Sequence, residues 1–206
     1  MPINLLLCAF LCLCLQSCGD DAPKQKLLEK GRFLLKKTIE FILTDENQAQ
    51  PIRLELSDRE AIVTFDKGKQ RLLGQYTHPE RIVYLNHLGD ILAYIRYASD
   101  GFSLYNADKK PIWHVKILAD KLQISDNPQN NSPHEIRLAD NGGYKVFANS
   151  NKLIGEITCK QGKLTAKGNR RYETPLKANH PSFGLLLLNE VQEEYRLIIW
   201  TELLRF

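Results

Sequence analysis

Residues 100–117 read DGFSLYNADKKPIWHVKI, and residues 142–159 read GGYKVFANSNKLIGEITC. The two stretches align without a gap at a constant offset of 42, and the match runs on to Asn127 and Asn169. Gly101, Lys110, Ile112, Lys121 and Leu122 meet the identical residues Gly143, Lys152, Ile154, Lys163 and Leu164. Phe102, Leu104, Tyr105 and Val115 meet the apolar residues Tyr144, Val146, Phe147 and Ile157. Each copy is a short alternating run, a turn rich in Asn and Lys, a second run and then a third. Alternation with a period of two, in β-branched and aromatic residues, predicts strands. Asn and Gly reach positive φ at little cost, so they predict tight hairpins between those strands. The repeat is therefore a three-strand unit used twice. Ser125–Pro133, a polar connection, divides the copies, and Arg81–Tyr97 is a worn copy of the first hairpin.

The same grammar extends outward from about residue 38 to 178. Turn signals stand at 66–68, 88–90, 100–101, 106–108, 141–143, 149–151 and 161–162. The runs between them include Arg81–Leu85, Ile91–Tyr97, Glu135–Leu138 and Leu153–Cys159. The C-terminus changes character. Phe183–Leu188 reads FGLLLL, and Tyr195–Phe206 reads YRLIIWTELLRF. The second run fits no two-residue alternation and predicts a helix from about Glu193. Its polar residues, Arg196, Thr201, Glu202 and Arg205, form no single face, and a helix that is apolar nearly all round belongs in an interior. The expected fold is mainly β with α. It is an antiparallel β-barrel or meander of repeated hairpins enclosing a hydrophobic C-terminal helix, one domain over 38–206.

This layout resembles the tubby-like barrel of tubby C-terminal domains, phospholipid scramblases and LURP-one-related proteins. The resemblance rests on the two units Gly101–Ile117 and Gly143–Cys159 and on the terminal YRLIIWTELL. It covers about 38–206 and is one of arrangement, not of signature residues. The phosphoinositide-binding residues of tubby domains find no place on this chain, so that activity is not implied.

Leu5–Leu15, LLLCAFLCLCL, is too short to span a bilayer as a helix and matches the apolar core of an export signal. Leu15-Gln16-Ser17-Cys18 follows directly. This resembles the processing site of bacterial lipoproteins. It implies a signal peptide over 1–17, lipid on Cys18, and anchoring at the cell envelope, on the outer membrane if the host is Gram-negative. Met1-Pro2-Ile3-Asn4 carries no Lys or Arg, a departure from such signals that leaves a non-lipidated export signal as the alternative. Cys8, Cys12 and Cys14 would leave with the signal, and Cys159 would stand alone, with no internal disulfide. Residues 18–37 form an anchor and a basic linker. Over 23–44, Leu27, Leu28, Phe33, Leu34, Leu35, Ile39 and Phe41 recur at helical spacing, weakened by Gly31, among Lys24, Lys26, Lys30, Arg32, Lys36 and Lys37 with two acids, Glu29 and Glu40. Such a helix lies either on anionic headgroups or against the domain; Thr38–Thr44 also reads as a strand.

The chain has 206 residues, 43% apolar and 25% charged, with a net charge of +4. These values exclude a mainly disordered chain and a polytopic membrane protein. His78, His87, His114, His134 and His180 lie far apart, so no metal site is encoded locally and no cofactor is implied. No nucleophile motif or phosphate loop is present, and the expectation is a non-enzymatic protein. The plain reading of Cys159 is a thiol packed as a small hydrophobe, and Trp113 and Trp200 read as core. One charged stretch stands out: Lys160, Lys163, Lys167, Arg170 and Arg171, opposed only by Glu173. It is either an anion-binding patch for lipid phosphates or a solvated strand face; nucleic acid is no partner for an exported protein. The expected function is a lipid-anchored envelope protein that binds lipid or another envelope component. A half-barrel lipid carrier and an enzyme whose site assembles from distant residues are the alternatives. An open lumen would favour them and a filled one the first reading.

Overall fold

The computed structural model describes residues 39–45, 48–65, 68–78, 81–177 and 179–205. The alternating runs become fourteen strands among these residues. The first half of the sheet is β1 (Ile39–Asp45), β2 (Gln48–Leu56), β3 (Glu60–Phe65), β4 (Gln70–His78), β5 (Arg81–Leu85), β6 (Ile91–Ala98) and β7 (Gly101–Tyr105). The second is β8 (Pro111–Ile117), β9 (Lys121–Ser125), β10 (His134–Leu138), β11 (Tyr144–Phe147), β12 (Leu153–Lys160), β13 (Lys163–Lys167) and β14 (Arg171–Pro175). Each strand pairs antiparallel with the next in chain order. β1 meets β14 through two residue pairs, Thr44 with Glu173 and Asp45 with Tyr172, and this narrow joint brings the order round into a barrel.

The repeat is visible in three dimensions. β8 and β9 begin at Pro111 and Lys121, and β12 and β13 begin at Leu153 and Lys163, the offset seen in the sequence. Four hairpin turns share one hydrogen-bond pattern. In each, the first residue's N–H donates to the carbonyl four residues on, and the fourth residue's N–H donates back to the first carbonyl. They begin at Asn86, Asn106, Ala139 and Ala148. The fourth position has positive φ every time: Gly89, Lys109, Gly142 and Asn151. Asn86 and Asn106 add side-chain acceptors for the turn's own N–H groups, the reason Asn starts such turns. Gln161-Gly162, both at positive φ, make the two-residue turn between β12 and β13.

After β14 the chain turns inward. A 3₁₀ helix, Pro181–Leu187, is buried along its whole length. His180 caps it, its Nδ1 accepting from the Ser182 N–H. Then α1 (Glu193–Leu203) runs back, with Arg196 to Leu203 all buried. The 3₁₀ helix packs on the inner faces of β10 to β13, and the Phe183 ring meets the Trp200 ring edge-on at 5.7 Å between centroids. Inward residues of the strands, such as Leu54, Val63, Leu104, Ile124, Ile136, Val146 and Leu164, complete one core with both helical segments. The expected fold class holds: mainly β with α, the C-terminal helix inside. FGLLLL, left without an assignment in the sequence, is the 3₁₀ segment. Glycines thin the wall where this filling approaches. A Cβ on Gly155 would stand 2.6 Å from Leu187, and one on Gly184 would stand 2.8 Å from Ile136.

Two glycines at positive φ separate backbone strain from crowding. Gly89 has φ +88° and open space around it; Gly101 has φ +152°, and a Cβ there would fall 1.9 Å from the Val115 carbonyl oxygen. Gly89→Ala is expected to cost about 1–2 kcal/mol, the left-handed penalty alone. Gly101→Ala must also displace the β8 backbone. Urea melts of the two variants should show the second with clearly the lower midpoint.

Candidate functional site

The most concentrated polar chemistry inside the protein surrounds Glu202. This residue lies in the last turn of α1 and is 0% exposed. An isolated buried charge is strongly unfavourable unless hydrogen bonds replace its water. Three tyrosines on three successive strands supply them. Tyr76 of β4 and Tyr84 of β5 each donate to Oε1 at 2.6 Å, and Tyr97 of β6 donates to Oε2 through a short bond. The Tyr76 and Tyr84 hydroxyls also lie 2.9 Å apart. Strand alternation points all three rings inward at one end of the barrel. Gly74 makes room for Tyr84, since a Cβ there would stand 2.8 Å from its ring. Arg205 closes this end. Its guanidinium stacks 3.5 Å from the Tyr76 ring centroid, and its nitrogens donate to the carbonyls of Ser57 and Asp58 in the β2–β3 turn. Burial, with the Glu202 charge added, holds all three phenols well above their usual ionisation range. They are hydrogen-bond donors to a fixed charge, not nucleophiles.

The outer face carries four of the sequence-predicted cations, Lys160, Lys163, Lys167 and Arg171, whereas Arg170 precedes β14 and donates to the hydroxyl of the inward Tyr172 at 3.4 Å. Lys160, Lys163 and Lys167 are exposed, and Arg170 and Arg171 are half-buried. Cross-strand pairing sets Lys160 beside Lys163, Lys167 beside Arg171, and Glu156 on the other side of Lys167. Glu173 stands within this face. It binds Lys163 through a short contact and Arg171 at 2.7 Å. The Lys163 bond is the main reason its carboxyl sits below the usual range, with Arg171 reinforcing it against a small burial effect. Two of the five cations are thus tied to one carboxylate. A second ionic cluster lies on β9–β11. Burial would raise the Glu135 carboxyl, but hydrogen bonds from Lys121, Gln123 and Arg137 outweigh it and bring the group down to about 2.

The remaining candidates are dispersed. Ser103 Oγ and His114 Nδ1 lie 2.9 Å apart across β7 and β8. Burial and the neighbouring Lys116 pull this imidazole down, and no carboxylate orients it. His134 is buried and accepts the Asn149 N–H at 3.2 Å. Cys159 is half-buried, its thiol donating to the Leu176 carbonyl at 3.0 Å. Trp200 is fully buried, and Trp113 is half-buried beside His134. Among the described residues, no three His, Cys, Asp or Glu side chains gather as a metal site, and no helix is long and apolar enough to cross a membrane. Cys18 and the basic segment 23–38 lie outside the described residues. The Glu202 cluster was not foreseen from sequence. Its one local sign was a lone Glu in the apolar run YRLIIWTELL, and its partners stand more than a hundred residues earlier.

Tyr97→Phe should remove one bond to a charged acceptor and cost about 1.5–3 kcal/mol at neutral pH. A phenol raised by folding leaves stability whole below its unfolded pKa near 10, and stability falls as pH rises beyond that. Each such phenol adds about 1.4 kcal/mol per pH unit to the fall. Urea unfolding between pH 9 and pH 11 should therefore show a shallower decline in Tyr97→Phe than in the parent. Comparison of the chain with protein-family models, with curated proteins and with solved structures finds no match.

Proposed function

We propose that this is a lipid-anchored envelope protein of bacteria, held by acyl chains on Cys18, whose barrel binds a phosphate-bearing envelope component, in the first place anionic lipid headgroups, and performs no catalysis. The observation that carries the binding reading is the filled lumen. Carriers of half-barrel type need an apolar cavity, and ligand pockets generally measure about 300–1,000 Å³. Here Trp200, Phe183, Ile198, Ile199 and Leu197 occupy the middle of the barrel at 0–1% exposure. Among the described residues, a small hollow between Leu122, Ile136, Tyr144 and Pro181 measures about 10 Å³, room for one water at most. This packing supports a reading in which ligand contact lies on the outside. The basic face of β12–β14 has chemistry that suits an anion, through Lys160 and Lys167, with Lys163 and Arg171 shared with Glu173.

Two measurements test this. Metabolic labelling with a palmitate analogue should mark the parent and not Cys18→Ala, which should leave the membrane fraction; equal label in both ends the anchoring claim. Vesicles with anionic lipid should bind the parent about tenfold or more tightly than the double variant Lys160→Gln, Lys167→Gln, given about 1 kcal/mol per cation near such a surface. Neutral vesicles should not distinguish the two proteins. Equal binding of parent and variant to anionic vesicles removes the patch.

A further inference from the structure

The exterior of this barrel is divided. On β12–β14 the outward positions are mostly charged or hydroxylated, Leu153 excepted. On β3–β7 a group of them is apolar, among polar outward residues that include Thr64, Gln75 and Ser103. Ile62 lies between buried Ala61 and Val63, Leu73 between buried Leu72 and Gly74, Val83 between buried Ile82 and Tyr84, and Tyr94 between buried Ala93 and Ile95. Alternation therefore turns all four away from the core. Register places Ile62, Leu73, Leu85 and Ile91 side by side as one row across β3 to β6. Val83, Tyr94 and Tyr105 form the next row across β5 to β7. Ile91 is 39% exposed, and the others are half-buried. Glu55 and Glu60 border these rows on β2 and β3, and Arg71 and Arg96 border them elsewhere. A contiguous apolar patch with a polar rim on a soluble face marks a covered surface.

We propose that residues 23–38 of this same chain cover it, their Leu27, Leu28, Leu34 and Leu35 stripe laid across the two rows. Three observations select this occupant. The first is position. The segment ends at residue 38, and Ile39, the first residue of β1, pairs with Leu56 of β2. The chain therefore enters β1 at the barrel end that holds the β2–β3 turn, with only β2 between β1 and β3. The second is length. Sixteen residues as a helix measure about 24 Å; the four strand gaps from β3 to β7 measure about 19 Å. The third is pattern. Leu27 and Leu34, like Leu28 and Leu35, stand seven residues apart and share one helix face; Lys26, Lys30, Arg32, Lys36 and Lys37 fall at its edges or behind it, Phe33 falls behind it, and Lys24 shares the face one turn before Leu27, where its stem can lie on apolar surface with the ammonium in water. β5 and β12 lie on opposite sides of the ring order, so a segment docked on β3–β7 leaves the basic face open. The inference holds whether or not Cys18 carries lipid.

Photocrosslinking in the full chain tests it. p-Benzoylphenylalanine is placed at Tyr94 and, in a second variant, at Tyr105, so that disturbance of one site does not decide the matter. Irradiation in cells followed by proteolysis and mass spectrometry should give intrachain links to residues 23–38 from both positions. The same probe at Thr165, outward on β13, should give none. Leu34→Glu with Leu35→Glu should abolish the links. Links from the probe to a second copy of the chain, to another protein or to lipid, the absence of any link at both positions, or links that survive the double substitution would each overturn the proposal.

Discussion

A carboxylate buried at the end of a helix is the constraint on which the rest of this structure depends. Glu202 is removed from water by its place in the lumen, and a charge so placed destabilises the fold unless donors surround it. The donors come from β4, β5 and β6, one phenol each, so the bond set fixes both the rotation of α1 and its depth along the barrel. A shift of one helical turn would leave the carboxylate without Tyr76, Tyr84 and Tyr97, and those hydroxyls without an acceptor. Hydrophobic packing alone does not specify depth in this way, because Leu197, Ile198, Ile199 and Leu203 are similar in shape and chemistry. Arg205 adds to the same end by joining the helix to the β2–β3 turn.

The other polar groups of the filling segments are arranged to make few demands of the wall. Thr201 Oγ1 donates to the Leu197 carbonyl of its own helix at 2.8 Å. Arg196 donates to the Leu188 carbonyl and to Asn189, in the connection that precedes α1. Burial lowers its affinity for its proton, and the nearby Glu193 carboxylate acts against that. Glu193 and Glu194 sit in the first turn of α1, where the helix dipole favours acids. The helix can therefore pass through an apolar lumen while burying Arg196, Thr201 and Glu202, because the first two are answered by groups close in sequence. Glu202 is the one answered by the wall.

These differences explain what the amino-acid sequence discloses. Hairpins from β5 onward are legible because their turns need residues of special backbone freedom, such as Gly89, Gly142 and Asn151, or a side-chain acceptor such as Asn106, whose turn places Lys109 at positive φ. The repeat is legible because the same turn recurs at the same distance from the same apolar positions. The β2–β3 turn is built on Ser57, whose hydroxyl accepts from the N–H groups of Arg59 and Glu60; no Gly, Asn or Pro marks it, and the first four strands are correspondingly hard to separate by eye. The enclosed helix is legible from its lack of a polar face. The tyrosine cluster is not, because Tyr76, Tyr84 and Tyr97 each look like an ordinary strand aromatic. Only the folded register brings their hydroxyls to one point.

A filled barrel also changes where function can be written. Inward positions are bound by packing, so their identity reports on the helix they face. Outward positions are free of that demand; single apolar residues among them are ordinary, but contiguous rows of them are not set by the core. Outward positions are mostly polar on β12–β14, where Glu156, Thr158, Thr165 and Lys167 alternate with the core. On β3–β6 the same alternation delivers Ile62, Leu73, Val83 and Leu85 to the outside. Packing in the lumen cannot account for them, since their neighbours on each strand already fill it. The strand pattern is equally regular on both sides of the ring, so the difference is not a lapse of register. What remains is a requirement from outside the sheet: something apolar rests on one side of this barrel, while the other side stays wet.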